Sequence, residues 1–183
     1  MQTNECSLRE KSIVFIGFMG VGKTTIGKLV AKKLYRSFID IDEAIEQEYQ
    51  MPVPEIFKTI GEKEFREKEK QLIQHYASQK LKIISVGGGA FMQKEVREAC
   101  MADCIVIYLD ITWDVWKNER LHMLMESRPV LQGRSMEEIE DLFNKRKMIY
   151  AEHSSKVSTD HLTEEEIAEY ITDSLKVSWK MNE

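Results

Sequence analysis

The sequence predicts a doubly wound α/β fold, in which helices cover both faces of a parallel sheet. Short apolar runs alternate with longer stretches whose apolar residues have helical spacing. Strands that are apolar throughout, each followed by a crossover helix, suit a parallel sheet buried on both faces. We therefore expect three layers, α/β/α, built on a five-stranded parallel sheet.

The predicted elements can be placed in order along the chain. The strands are SIVFI at 12–16, SFIDI at 37–41, LKIIS at 81–85, CIVIYL at 104–109 and KVSTD at 156–160. Helical patterns fill the intervals between them, from the first at 25–34 to the last at 162–179, where Trp179 is expected to anchor the helix in the core. A chain of 183 residues suits one domain. We expect a single domain over 1–183, with its core at about 12–175.

Composition and charge argue against several classes of function. The formal net charge of −5 does not favour binding to nucleic acid or to an anionic membrane. No stretch is apolar enough to cross a bilayer, and the polar start MQTNECSLRE does not resemble a signal peptide, so we expect a cytoplasmic protein. The cysteines and histidines lack metal-site or disulfide spacing, and we assign them no chemistry. Without a sustained heptad repeat, we expect a monomer.

The strongest motif follows the first strand. GFMGVGKT at 17–24 fits G-x-x-x-x-G-K-[ST] and lies between an apolar strand and a helical run, which is the context in which this motif binds phosphate. Its glycines allow positive φ, so that backbone N–H groups can surround phosphate oxygens. The predicted ATP-binding residues of this loop are Gly20, Val21, Gly22, Lys23, Thr24 and Thr25. A hydroxyl such as that of Thr24 suits Mg²⁺, which prefers oxygen ligands.

A second pair of candidates comes at the end of the second strand. Residues two apart on a strand share a face, so we expect Asp40 and Asp42 to project together toward the glycine loop. One carboxylate could bind the metal ion, and the other could bind the molecule that accepts the phosphoryl group. Alternatively, Asp42 could cap a helix that begins near Glu43.

A phosphate-binding loop alone does not separate kinases from other nucleotide-binding proteins. The chain, however, resembles the shikimate kinases from about Ile13 to Tyr150. The matching segments, in order, are GFMGVGKTTIGKLVAKKL, FIDIDEAIE, PEIFKTIGEKEFREKE, VGGGA, SRPVL and KRKMIY. The resemblance implies a fold of the nucleoside monophosphate kinase type, with a substrate-binding segment at about 42–70 and a lid at about 119–135. It also implies transfer of a phosphoryl group from ATP to shikimate with Mg²⁺, in chorismate and aromatic amino acid biosynthesis.

The resemblance assigns roles to individual positions. Lys23, Asp42 and Arg128 are implied as catalytic, Thr24 and Asp40 as metal-associated, and Arg120 and Arg128 as further ATP-binding residues. The residues implied to bind shikimate are Asp42, Arg66, Gly87, Gly88, Gly89 and Arg146. Arginine suits a carboxylate because its planar guanidinium can donate two parallel hydrogen bonds. Glu69, three residues after Arg66, could hold that arginine in place or form an ordinary surface pair with it.

Two features depart from the usual family pattern. LHMLME at 121–126 lacks the glycine and aspartate common in the lid, so this stretch is either a mobile lid or an extension of the preceding helix that packs on the body. Gln50 occupies a position where glycine is common. The alternatives to a shikimate kinase are a kinase for another polyol acid, such as gluconate, and a nucleotide-binding module without turnover.

Overall fold

The computed structural model describes residues 7–181 and contains a parallel sheet with the strand order β2-β3-β1-β4-β5. The strands are β1 (Ile13–Ile16), β2 (Ser37–Asp40), β3 (Lys82–Ser85), β4 (Ile105–Asp110) and β5 (Ser155–Ser158). The helices are α1 (Lys23–Leu34), α2 (Ile41–Tyr49), α3 (Val53–Thr59), α4 (Glu62–Ala77), α5 (Lys94–Asp103), α6 (Trp113–Glu119), α7 (Leu121–Leu124), α8 (Met136–Ile149) and α9 (Glu164–Met181). Short 3₁₀ turns occupy Ala90–Met92 and Pro129–Leu131. The predicted five-stranded α/β fold is confirmed.

The central strand explains why the sheet is buried on both faces. Ile13, Val14, Phe15 and Ile16 are all fully buried, although their side chains alternate between the two faces. Helix α1 packs against α9, whereas α4 packs against α5, which gives helical layers above and below the sheet. The loops after β1 and β3 lie side by side at the carboxyl edge of the sheet, because these strands are neighbours. Ligands of such folds bind at this edge.

The end of β2 differs from the prediction. The strand stops at Asp40, whose carboxylate accepts a hydrogen bond from the Glu43 N–H at 3.1 Å and so caps α2, which begins at Ile41. Asp42 therefore lies in the first turn of a helix rather than on a strand. The expectation that Asp40 and Asp42 share a strand face was wrong, as was the alternative that Asp42 is the cap.

The other predicted boundaries differ by one or two residues. Helix α1 begins at Lys23, since the chain turns helical within the glycine loop itself, and α9 begins after Thr163, whose hydroxyl accepts from the Glu166 N–H at 3.2 Å. Trp179 is buried, as predicted, and Arg36 stacks 5.0 Å from its ring centroid. Gln50 has φ of 55° at the end of α2, a left-handed conformation that explains why glycine is common at this position.

Two sequence expectations can be compared with the described part of the chain. None of the helices between residues 7 and 181 combines the length and apolar character that a bilayer crossing requires. Cys100 and Cys104 are buried free thiols, and burial raises the pKa of both, to about 12 for Cys104. Cys6 lies outside the described residues.

Candidate active site

A cleft of about 510 Å³ opens at the carboxyl edge of the sheet. It lies between the loop after β1, the start of α2, the loop after β3 and the segment that follows α6. Its lining includes the predicted nucleotide-loop residues Gly20, Gly22, Lys23, Thr24 and Thr25, the carboxylates Asp40 and Asp42, the glycines Gly87 and Gly88, and the arginines Arg120 and Arg128. One cleft thus contains predicted residues from four separate parts of the chain.

The glycine loop has the conformation that phosphate binding requires. Gly20 and Gly22 have φ of 75° and 107°, values that L side chains rarely adopt. Lys23 is buried, and its ammonium donates to the carbonyl oxygens of Gly17 at 2.8 Å and Phe18 at 3.1 Å. Burial is the main cause that lowers the pKa of Lys23 to about 7, and the positive charge of Arg128 contributes to the same shift. An anion beside this amine would restore its charge.

A buried tryptophan of α6 supports the same loop. The Trp116 indole N–H donates to the Met19 carbonyl oxygen at 2.7 Å, and the Phe18 ring meets the Trp116 ring edge-on at a centroid distance of 4.9 Å. These contacts fix the loop to α6. No motif in the sequence indicated this role, because a tryptophan in a helix is usually part of the core.

The Thr24 and Asp40 side chains fit a magnesium ion. The Thr24 hydroxyl donates to Asp40 Oδ2 at 2.5 Å, which leaves its lone pairs available to a metal. No group of three or more His, Cys, Asp or Glu side chains among the described residues could hold a metal by itself. A Mg²⁺ site shared with nucleotide phosphates and water does not depend on such a group, since it takes only one or two protein oxygens.

The triple glycine lies where charged side chains converge. A Cβ on Gly87 would lie 2.9 Å from Asp42 Oδ1 and 3.0 Å from Glu69 Oε1, and one on Gly89 would lie 2.7 Å from Arg66 Nη2. A Cβ on Gly88 would lie 3.1 Å from the Met19 nitrogen and 3.3 Å from Arg146 Nη1. A side chain here would displace these groups. The glycines therefore permit close approach rather than only a turn.

Arg66 is held in place by a buried carboxylate. Arg66 Nη1 donates to Glu69 Oε2 at 2.8 Å, and the Gln93 amide donates to the same oxygen at 2.9 Å. Glu69 is fully buried, and burial raises its pKa to about 7 although the charge of Arg66 acts in the opposite direction. Glu69 Oε1 has no hydrogen-bond partner among the described residues. Of the two interpretations left open by the sequence, the structure supports the one in which Glu69 holds Arg66.

Arg146 is a buried cation that forms no salt bridge with another residue of the described range 7–181. Only 5% of the residue is exposed, and its guanidinium lies 5.7 Å from the centroid of the Phe18 ring. No carboxylate in residues 7–181 comes within 4.0 Å of it, and its Nε lacks a hydrogen-bond partner there. Burial lowers the pKa of Arg146, but a guanidinium keeps its charge in proteins. An unpaired buried charge is costly, so an anionic ligand beside it would be stabilising.

Asp42 and the segment after α6 complete the cleft. Burial raises the pKa of Asp42, and so does the charge of Asp40, whereas the Arg128 guanidinium, 3.6 Å from Asp42 Oδ2, lowers it.

Helix α6 ends at Glu119, and the short α7 follows Arg120. The Leu124 side chain of α7 packs over the nucleotide loop, because a Cβ on Gly20 would lie 2.6 Å from Leu124 Cδ1. The stretch is thus not a continuous extension of α6, because the helix breaks at Arg120, and its mobility as a lid stays a prediction.

The structure brings the predicted nucleotide, metal and acceptor residues to one edge of the sheet. Four of them do not line the open cleft: Val21 is buried within the nucleotide loop, and Arg66, Gly89 and Arg146 lie behind the cleft around the triple glycine. The sequence prediction missed Trp116, Gln93 and Tyr150 as supporting residues. Tyr150 donates from its hydroxyl to the Gly88 carbonyl oxygen. It lies in the matching segment KRKMIY, but a tyrosine there carries no signal that distinguishes a role in the site from core packing.

Comparisons with known proteins agree with this geometry. The family model described as "Shikimate kinase" matches residues 19–176. A shikimate kinase from Oceanobacillus iheyensis is 57% identical over 176 residues, covering 96% of each chain. One from Bacillus subtilis is 55% identical over 175 residues, covering 95% of this chain and 94% of the relative.

The solved structures extend this comparison to the fold. A shikimate kinase from Acinetobacter baumannii in complex with shikimate superposes with a TM-score of 0.84 at 29% identity, over 92% of this chain and 94% of the other. A gluconokinase from Sinorhizobium meliloti superposes with a TM-score of 0.53 at 15% identity, over 93% and 94% of the two chains. The second likeness concerns the fold alone.

Proposed function

This chain belongs to the shikimate kinase family of phosphotransferases, and on that premise we propose that it transfers the γ-phosphoryl group of ATP to a hydroxyl of shikimate. The products are ADP and 3-phosphoshikimate, within chorismate and aromatic amino acid biosynthesis. The observation that carries the proposal is the convergence at the triple glycine, where Asp42, Arg66 and Arg146 surround a backbone that also contacts the nucleotide loop at Met19.

Acceptor binding is assigned to the arginines and the triple glycine. The buried Arg146, which lacks a carboxylate within 4.0 Å in the described part of the chain, and Arg66, fixed by Glu69, bind the carboxylate of shikimate. Hydrogen bonds from guanidinium to carboxylate are charge-assisted and directional, so they orient the ring as well as hold it. Gly87, Gly88 and Gly89 let the ring approach the backbone.

Phosphoryl transfer depends chiefly on alignment and on stabilisation of charge. The loop residues Gly20, Val21, Gly22, Lys23, Thr24 and Thr25 hold the phosphates, and Arg120, which lines the same cleft, binds the nucleotide. Lys23 and Arg128 neutralise the charge that develops on the transferred group. Asp42 orients the attacking hydroxyl and accepts its proton late in the reaction, a role that suits a carboxylate whose pKa is raised by burial.

Mg²⁺ is the metal that the Thr24 and Asp40 oxygens fit, and when bound it would supply positive charge that stabilises the phosphates. The Thr24 hydroxyl and the Asp40 carboxylate, which already share a hydrogen bond, would hold it.

The segment 119–135 acts as a lid in this proposal. Arg128 approaches Asp42 at 3.6 Å, and Leu124 covers the loop at Gly20, so the segment closes the cleft from one side. Closure excludes water from the γ-phosphate and so limits wasteful hydrolysis of ATP. We further propose that the enzyme is a monomer of one domain, with a substrate-binding segment at 42–70, that works in the cytoplasm.

The proposal is tested by a coupled ADP-release assay with shikimate, quinate, gluconate and nucleoside monophosphates as acceptors. We expect turnover with shikimate in the presence of Mg²⁺ and far less with the other compounds. Preferred turnover of gluconate would support a kinase for another polyol acid. Nucleotide binding without turnover of any acceptor would support a module that has lost catalysis, and either result would overturn the proposal.

A further inference from the structure

We propose that Tyr150 is a positioning residue for the acceptor, and that it acts by holding the Gly88 carbonyl group through its buried hydroxyl. This inference rests on the proposed function, because it concerns the same acceptor site. Tyr150 itself contacts the backbone of the triple glycine and none of the reacting groups.

The triple glycine needs such support because it has no side chains of its own. Three consecutive glycines have the largest backbone freedom to lose on ordering. Gly88 nevertheless has close neighbours on two sides, since a Cβ there would lie 3.1 Å from the Met19 nitrogen and 3.3 Å from Arg146 Nη1. A small shift of this backbone would change the space available to the acceptor beside Arg146.

The Tyr150 hydroxyl supplies a fixed anchor. Only 1% of Tyr150 is exposed, so its hydroxyl has no access to bulk water as an alternative partner. A buried hydroxyl that lost the Gly88 carbonyl oxygen would be left unsatisfied, which costs more than the net gain from an ordinary hydrogen bond. The bond to Gly88 therefore restrains the loop.

Tyr150 is itself held in place by neighbouring residues. The Tyr150 ring lies 5.3 Å from the Tyr108 ring, centroid to centroid, and the Tyr108 hydroxyl donates to Asp110 Oδ1 at 2.8 Å. The His153 ring lies with its Nδ1 atom 2.7 Å from the Tyr150 carbonyl oxygen. Strand β4 and the loop before β5 thus fix the tyrosine from the side opposite the cleft.

The position of Tyr150 also links the loop to Arg146. The Tyr150 N–H donates to the Arg146 carbonyl oxygen at 3.0 Å, so the two residues are one helical turn apart at the end of α8. One turn of helix therefore presents both the guanidinium beside the acceptor and the hydroxyl that sets the backbone facing it. This arrangement fixes their separation without a flexible connection.

Tyr150→Phe removes the hydroxyl and keeps the ring. We expect the KM for shikimate to rise about tenfold, as loss of a buried hydrogen bond predicts, while the KM for ATP and the kcat change by less than about threefold. Tyr108→Phe is the matched control, since it removes the hydroxyl of the adjoining ring, which does not reach the loop, and its KM for shikimate should stay at the wild-type value. A Tyr150→Phe enzyme with the wild-type KM for shikimate would overturn the inference while leaving the proposed function intact.

Hydrogen exchange of the wild-type protein provides a second test that does not require the variant to fold. We expect the Ala90 amide, which donates to the Gly87 carbonyl oxygen at 3.0 Å, to exchange far more slowly than the amides of the exposed segment 132–134 in the protein without acceptor. Exchange as fast as that of the exposed segment 132–134 would show that the loop is not held, and would overturn the inference. A wild-type enzyme that fails to phosphorylate shikimate would instead overturn the proposed function.

Discussion

The nucleotide side and the acceptor side of the cleft are built in different ways. Gly17 to Thr24 form the nucleotide loop from one continuous stretch, in which Lys23 already donates to backbone carbonyls of the same loop. The acceptor side takes Asp42 from α2, Arg66 from α4, Arg146 from α8 and three glycines from the loop after β3. A local motif specifies the first side, whereas only the tertiary fold assembles the second.

The two sides also differ in how their charges are balanced without ligand. Burial lowers the pKa of Lys23 to about 7, so the Lys23 amine on the nucleotide side can lose its proton near neutral pH. Arg146 keeps its charge in a buried position where no carboxylate of the described residues comes within 4.0 Å. The comparison teaches that nucleotide binding should be linked to a proton, while carboxylate binding should depend on fixed charges.

Replacing Lys23 gives the largest expected effect. Lys23→Ala should lower kcat/KM by about a thousandfold or more, because it removes a preorganised charge at the transferred phosphoryl group. The coupled ADP-release assay measures this loss. Lys33→Ala, in the exposed last turn of the same helix, is the control and should behave as the wild type. Substantial turnover in Lys23→Ala would mean that the nucleotide loop is not the catalytic side.

Replacing Arg66 should affect the acceptor side alone. Arg66→Ala should raise the KM for shikimate by about thirtyfold, which corresponds to roughly 2 kcal/mol for a partly buried charge pair, with little change in the KM for ATP. Steady-state kinetics with each substrate varied in turn separate the two values. Lys63→Ala, exposed on the same helix, is the control. An unchanged KM for shikimate would remove Arg66 from the acceptor site.

The smallest expected effect is proton uptake on binding of ATP. At pH 8 the Lys23 amine of the free protein is largely neutral, since its pKa is about 7, and the phosphates of ATP favour its charged form. ATP binding should therefore take up about one proton at pH 8 and much less from this group at pH 6. Calorimetry in buffers of different ionisation enthalpy measures this number.

Two variants identify the group that takes up the proton. Lys23→Met should abolish the uptake at pH 8, whereas Lys33→Ala should retain it. Absence of uptake by the wild type at pH 8 would contradict the account of the buried amine.

The contrast between a local nucleotide motif and an acceptor site assembled by the fold also explains what the sequence could predict. The five strands and the loop at 17–24 follow from local patterns, because apolar runs and glycines act over a few residues. The end of β2 was misplaced by one residue, since the capping of α2 by Asp40 competes with continuation of the strand, and this moved Asp42 onto a helix. The acceptor residues were assigned by resemblance to a family, and no local pattern distinguishes Arg66 or Arg146 from arginines on solvated surfaces.

Supporting residues were harder to identify from the sequence. Gln93 and Trp116 act through single hydrogen bonds to partners far away in the chain, Glu69 and the Met19 carbonyl. Such bonds depend on the packing of whole elements, α5 against α4 and α6 against the nucleotide loop. They become visible only when the tertiary structure is known.

The central claim is that the terminal phosphate of ATP and a small carboxylated ring meet beside the triple glycine. A crystal structure with shikimate and ADP tests it most directly. The account predicts that the shikimate carboxylate lies between the guanidinium groups of Arg66 and Arg146, with a ring hydroxyl beside Asp42 that faces the β-phosphate near Lys23. A shikimate carboxylate bound away from both arginines, or a ring whose hydroxyls point away from the nucleotide loop, would contradict it.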